Sequence, residues 1–225
     1  MRVLPSRVVD ALQRFNAAHP WDHNAHYHPW LLRQLPRRFG RALDVGCGSG
    51  DLVRLLAGRG ERVQGVDSDP GILRRARELT GSAAPVGYLL AEAPEGVPGG
   101  PYDVITCVAV LHHLPFAGTL DRLKRELAPG GTLVVVGCAR AAGPLDHLLG
   151  LVAVPLNALT GWVKNRGRVA SQRPVSMTAP VREPEMTFEE IAREARRLLP
   201  GARLRRRLFW RYTLVWRAPG GPAGH

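Results

Sequence analysis

The run Ala42-Leu43-Asp44-Val45-Gly46-Cys47-Gly48-Ser49-Gly50-Asp51-Leu52 constrains the fold more than any other stretch of the chain. A short apolar segment reads as a strand, enters a glycine-rich turn and continues as a helix, so the backbone there can pass close under a ligand. From this point strand and helix patterns alternate. Strands are predicted over Arg41–Val45, Arg62–Asp67, Val86–Leu90, Tyr102–Cys107 and Thr132–Gly137. Helices are predicted over Asp51–Ala57, from Asp69 as cap with Pro70 in the first turn to Thr80–Gly81, and over Phe116–Leu127. Pro129-Gly130-Gly131 reads as a turn. Such alternation implies a parallel sheet with right-handed crossovers. The end differs: Thr187 and Glu190 make a capping box for a helix over Phe188–Leu199, and two adjacent strands, Arg203–Trp210 and Tyr212–Arg217, suit an antiparallel hairpin. The expected architecture is a doubly wound, Rossmann-like α/β fold with seven strands, mostly parallel, closed by that hairpin.

The 225 residues suit one domain, here 1–217, with 218–225 a frayed tail. Ahead of the sheet, Val8, Leu12 and Phe15 share one helix face, a polar loop runs from His19 to His28, and a short helix opens at Pro29. Leu148 to Val163 carries no charge and is apolar around most of its circumference, but it is shorter than a membrane span and is interrupted by Pro155 and two glycines. Segment 143–163 reads as a lid or a substrate-contact helix pair within an insert over 143–186; a plain core helix or a subunit interface are its alternatives. The basic stretch Lys164–Arg173 beside it reads first as a mobile loop, with contact to anionic lipid headgroups as the alternative. The start of the chain never builds the continuous apolar core that secretion requires, so the cytoplasm is the expected compartment.

The formal charge of +12 comes from 31 basic residues, of which only Lys124 and Lys164 are lysine. With abundant Ala, Gly and Pro, this reads as the coding bias of a GC-rich genome and a solvated Arg-rich surface rather than a nucleic-acid footprint. Cys47, Cys107 and Cys138 are an odd number without metal spacing, and each falls near a predicted strand end where a small thiol packs well. No disulfide framework is expected, and no metal: His23, His26 and His28 share one loop without convincing ligand spacing.

The glycine spacing is G-x-G-x-G. Dinucleotide enzymes use G-x-G-x-x-G and seat a pyrophosphate at the helix N-terminus; the place of their last glycine is taken here by Asp51, whose charge opposes a phosphate. Asp44 adds a second carboxylate at the strand end. The arrangement suits a cationic amino-acid ligand. Asp67 ends the second strand, 19 residues after Gly48, where an acid accepts both hydroxyls of a ribose.

These residues resemble motif I of class I S-adenosylmethionine-dependent methyltransferases. The resemblance extends over roughly residues 20 to 137, through Gly65-Val66-Asp67-Ser68-Asp69-Pro70-Gly71, Glu92-Ala93, Tyr102 to Leu114, and Leu127-Ala128-Pro129-Gly130-Gly131-Thr132-Leu133; the fourth-strand segment is similar to that of the small-molecule and quinone-biosynthesis branch. It implies S-adenosyl-L-methionine as cofactor, with S-adenosyl-L-homocysteine as its product. Asp44 would engage the ammonium group, with Gly46, Cys47, Gly48 and Gly50 passing beneath it. Asp67 and Ser68 would face the ribose and Glu92 and Ala93 the adenine, although the family more often has Asp in place of Glu92. Cys107 and Val108 would back the site from the fourth strand. Upstream, the resemblance implies that residues 1–40 close over the cofactor, with Tyr27 as the covering side chain.

The acceptor is expected to be a small lipophilic molecule, methylated on O, N or C, with O first. A base matters only where the acceptor must lose a proton. His112 and His113 follow the fourth strand at the ligand edge of the sheet, and the resemblance favours one of them facing the methyl group, His112 ahead of His113. Val108-Ala109-Val110-Leu111 stands where amino-methylating enzymes of nucleobases carry Asn/Asp-Pro-Pro-aromatic, and Cys107 lacks the Pro-Cys setting of pyrimidine C5 methylation. A nucleic-acid-modifying methyltransferase and a cofactor-binding scaffold without turnover are the rival functions. A monomer or homodimer is expected, with no transmembrane segment and scope for peripheral membrane contact.

Overall fold

The computed structural model describes residues 6–82, 85–170, 175 and 182–220. In chain order these form α1 (Ser6–Ala18), α2 (His28–Leu32), β1 (Phe39–Val45), α3 (Asp51–Ala57), β2 (Gly60–Asp67), α4 (Pro70–Thr80), β3 (Val86–Leu90), β4 (Tyr102–Val108), α5 (Phe116–Glu126), β5 (Leu127–Cys138), α6 (Pro144–Lys164), α7 (Phe188–Leu198), β6 (Arg203–Arg207) and β7 (Arg211–Arg217). Among the described residues there is one sheet of seven strands, ordered β3-β2-β1-β4-β5-β7-β6. The first five are mutually parallel, and β7 runs antiparallel to both β5 and β6. This is the expected Rossmann-like sheet.

Period-two alternation of apolar side chains along the central strands feeds a core on each face. Ile105, Cys107, Leu133 and Val135 pack toward α5 and α7 with Leu120, Leu123, Ile191 and Ala195. Val104, Val134 and Val136 pack on the other side with Leu31, Leu52, Val53, Leu56 and Leu73. Helix ends follow local chemistry. The Asp69 carboxylate accepts from the N–H groups of Gly71 and Ile72, and the predicted Thr187–Glu190 capping box is formed.

Three boundaries differ from expectation. The turn at 129–131 lies inside β5 as an irregularity in its pairing with β4, between Tyr102 and Val104. β6 stops at Arg207 because Phe209 and Trp210 adopt left-handed φ values of +57° and +59°, with the Phe209 ring buried edge-on to Trp21. The apolar segment 143–163 is one continuous helix, α6, rather than a pair, with Pro155 on its exposed side. Ala218 N–H donates to Gly131 O and Pro219 O accepts from Gly130 N–H, so the pairing with β5 continues past the end of β7; 221–225 lie outside the described residues.

The underside of α6 holds the polar N-terminal loop. Asn157 Oδ1 accepts from Trp21 Nε1 at 3.0 Å and lies 2.7 Å from His23 Nε2, while Trp21, Ala153 and Phe209 form a small core beneath the helix. His23 is therefore engaged with Asn157, and among the described residues no group of three His, Cys, Asp or Glu side chains is placed to hold a metal. No described helix is long and apolar enough to cross a membrane.

Candidate active site

A cavity of about 440 Å³ opens outside the carboxyl ends of β1, β2 and β4, where the strand order reverses and α/β sheets bind their ligands. The turn after β1 forms its floor. Gly46 and Gly48 take φ values of +68° and +50°, a conformation that side chains disfavour. The N–H groups of Gly46 and Cys47 donate to Val66 O at 2.8 and 3.0 Å, tying the turn to β2. Gly48 N–H donates to Asp67 Oδ2 at 2.9 Å, and Asp69 N–H to Asp67 Oδ1 at 3.0 Å. A Cβ on Gly48 would meet nothing within 4 Å, because the adjoining space is the cavity.

Asp44 lines the same cavity at only 3% exposure. Thr106 Oγ1 donates to its Oδ1 at 2.6 Å, and among the described residues no basic side chain forms an ion pair with it. Burial pushes its carboxyl up to about 7, against the Thr106 hydrogen bond and with the help of the Asp67 charge. A buried carboxylate without a counter-charge at a cavity wall favours a cationic ligand. A cation bound there needs the ionised form, so protonation must compete with binding. Affinity should be level above pH 7 and fall up to tenfold per unit as the pH drops below the free-state value. Calorimetric titration across this range checks it; flat affinity would remove Asp44 from the contact. At the helix start, Asp51 is paired with Arg54 and accepts from Ser49 Oγ at 2.8 Å, so the anion site of a dinucleotide fold is filled by the chain itself.

The cavity wall is built from Asp44, Gly46, Cys47 and Gly48 on the turn, Asp67 and Ser68 after β2, and Glu92 and Ala93 after β3. Val108 and His113 complete it beyond β4. Four expected residues stand behind this wall. Tyr27 is buried and its hydroxyl donates to Leu208 O at 2.6 Å; its neighbour His28 lines the cavity instead, with Asp22 and Asn24. Gly50 is the left-handed cap of α3, packed so closely that a Cβ would strike the Tyr88 hydroxyl. Cys107 is in the core, where burial pushes its thiol up to about 12. The His112 ring packs tilted against that of His113, centroids 4.1 Å apart, and its buried Nδ1 has no hydrogen-bond partner among the described residues. Burial, then His113, Arg211 and Arg182, lower its pKa to about 4. Sequence reasoning passed over Ala109, whose φ of +57° turns the chain out of β4 into the cavity wall. A non-glycine residue in that region often marks a functional loop, but nothing in its residue type announces it.

Residues 43–135, from β1 to β5, match the methyltransferase domain family. The chain is also 36% identical over 205 residues to an uncharacterized methyltransferase of Mycobacterium tuberculosis (strain ATCC 25618 / H37Rv), a span of 89% of this chain and 98% of that protein. The chain belongs to the class I S-adenosylmethionine-dependent methyltransferases. A ubiquinone biosynthesis O-methyltransferase of Thiobacillus denitrificans shares 34% identity over 125 residues, 49% of this chain and 54% of its own. Among solved folds, the N-methyltransferase NodS of Bradyrhizobium japonicum WM9, in complex with S-adenosyl-L-homocysteine, superposes with a TM-score of 0.57 at 20% identity. That match covers 93% of this chain and 97% of NodS.

The methyltransferase cavity fits its cofactor on features of this chain alone: an unpaired buried carboxylate, a turn with open space above Gly48, and a carboxylate ending β2. Asp67→Ala should weaken binding of S-adenosyl-L-homocysteine by about 1–3 kcal/mol, leaving buried hydroxyls unpaired and releasing the Gly48 N–H. Calorimetry reads this directly, and unchanged affinity would dissociate Asp67 from the ribose.

Proposed function

We propose that this methyltransferase transfers a methyl group to an oxygen of a small, lipophilic, hydroxylated acceptor in the cytoplasm, with His113 as the imidazole that takes the acceptor proton. The observation that carries this is the composition of the cavity from end to end: carboxylates and glycines on one side, Val110, Leu114, Val175 and His113 on the other. Bound S-adenosylmethionine supplies a methyl group already activated on a sulfonium centre, so alignment and exclusion of water fall to the protein. Asp44 would hold the ammonium group, Asp67 and Ser68 the ribose, and Glu92 and Ala93 the adenine. The loop carrying Asp22, Asn24 and His28 would close the site, with α6 supporting it from above through Asn157. His113 ionises less readily than a free imidazole, through burial and then Arg182, and is therefore neutral and able to accept a proton at physiological pH.

Support for oxygen as the acceptor atom comes from the O-methyltransferase relative; NodS, matched in fold alone, is named for nitrogen. The family match ends at residue 135, so α6, the following segment and the N-terminal loop, which would shape acceptor choice, lie outside it. The test is transfer of labelled methyl to a panel of phenols and other hydroxylated apolar compounds, with a polynucleotide panel alongside. Salt-insensitive turnover on a small hydroxylated compound is expected. Turnover confined to nucleic acid, or cofactor binding without any turnover, would overturn it.

A further inference from the structure

Helix α6 has its amphipathicity inverted. The side turned to the protein carries Ala153, Asn157 and Gly161, small or polar, while the exposed stripe carries Leu145, Leu148, Leu151, Val152, Leu159, Trp162 and Val163, each between 44% and 57% exposed. At 100° per residue these seven, with Pro155, occupy one arc of roughly 120° without a polar interruption. The stripe is roughly 30 Å long. α1 lies beside it, its end tied to the segment after α6 by the Ala170 N–H to Ala18 O bond of 2.9 Å, and it adds exposed Val8, Val9 and Phe15. A soluble protein seldom leaves a contiguous apolar surface of this size uncovered.

We propose that the α1–α6 face docks on an anionic lipid bilayer, α6 lying in the plane of the interface with its stripe in the acyl boundary. Charge selects this occupant. Arg7, Arg14, Arg166 and Arg168 are exposed on α1 and just past the end of α6, against Asp10 as the exposed carboxylate on α1, while Lys164 turns inward over the Trp21 ring and Asp146 on α6 is half-buried in an ion pair with Arg206. Two copies of this chain meeting face to face would bring those cations together, whereas anionic headgroups neutralise them. α6 does not cross the membrane; it lies on it. The same helix holds the loop of Asp22 and Asn24 on its opposite side through Trp21 and His23, so in the docked state α6 stands between the bilayer and that loop. Docking itself does not depend on which acceptor is methylated.

The test is co-flotation of the full chain with vesicles of phosphatidylcholine, alone or mixed with phosphatidylglycerol, together with sedimentation velocity without lipid. Binding is expected to the mixed vesicles, roughly tenfold weaker to phosphatidylcholine and weakened by salt. Leu151→Glu with Leu159→Glu should lower binding to the mixed vesicles roughly tenfold or more while S-adenosyl-L-homocysteine affinity is kept, which certifies the fold and separates this result from any failure of the catalytic proposal. Absence of vesicle binding overturns the proposal, and so does a wild-type dimer that this double substitution splits, since the face would then belong to a second copy.

Discussion

Gly48→Val is expected to abolish binding of S-adenosyl-L-homocysteine in a chain that still folds. Two costs act together. At φ +50° a β-branched residue is disfavoured by about 1–3 kcal/mol. Its side chain would also project into the space above the turn, where nothing of the protein lies within 4 Å of the added Cβ. That open space means the valine has room in the free protein, so the loss should fall on the ligand rather than on folding. Moving the turn to relieve φ would strain the Gly48 N–H bond to Asp67, the side chain proposed to meet the ribose. The blocked space, with any shift of the turn that relieves φ, predicts affinity roughly hundredfold lower or undetectable. Circular dichroism and calorimetry read the two halves; a folded variant with normal affinity would show that the turn is not the cradle.

The second large effect concerns the histidine pair. His113→Ala should lower turnover by about 10²–10⁴-fold, the usual worth of a positioned base, with little change in cofactor affinity. His112→Ala should leave a far larger share of turnover, because His112 stands behind the cavity wall. A base works unprotonated, so rate falls as pH drops through its pKa. The His113 value is lowered from 6.5, which places the acidic limb of the kcat profile below pH 6.5 in the wild type and removes it in the variant. The Asp44 effect, centred near 7, appears in cofactor affinity, so saturating cofactor separates the two. Full turnover by His113→Ala on the true acceptor would leave proximity and desolvation to carry the reaction.

The residues expected around the cofactor that line the cavity were legible as neighbours because they sit at or just after strand ends. Asp44, Gly46, Gly48 and Asp67 are fixed by the phase of β1 and β2, and alternation in those strands sets which face each residue takes. Where the cavity lining departs from the expected residues, phase is set by short irregular turns. Tyr27 and His28 straddle the end of a 3-10 turn at Ala25–Tyr27, and His112 and His113 lie in another at Leu111–His113. Each residue rotates the side-chain direction by about 120° in such a turn, so no periodicity says which neighbour meets the cavity. Which side of α6 faces the protein was not legible, for a different reason. Segment 148–163 is apolar almost all round, and the residues that dock it are the small Ala153, Gly161 and polar Asn157, recruited by Trp21, His23 and Phe209 from distant parts of the chain. A helix whose large side chains face outward gives the same composition as one whose large side chains face the core.

Hydrogen exchange of the full chain with and without S-adenosyl-L-homocysteine tests the central claim, that the cavity at the reversal of strand order holds the cofactor. Added protection is expected in 45–50, 67–69, 91–93 and 108–110, the segments that end β1, β2, β3 and β4 around the cavity, with the far edge at β6 unchanged. Binding that leaves these four segments unprotected, or that protects a different face of the sheet, would contradict it.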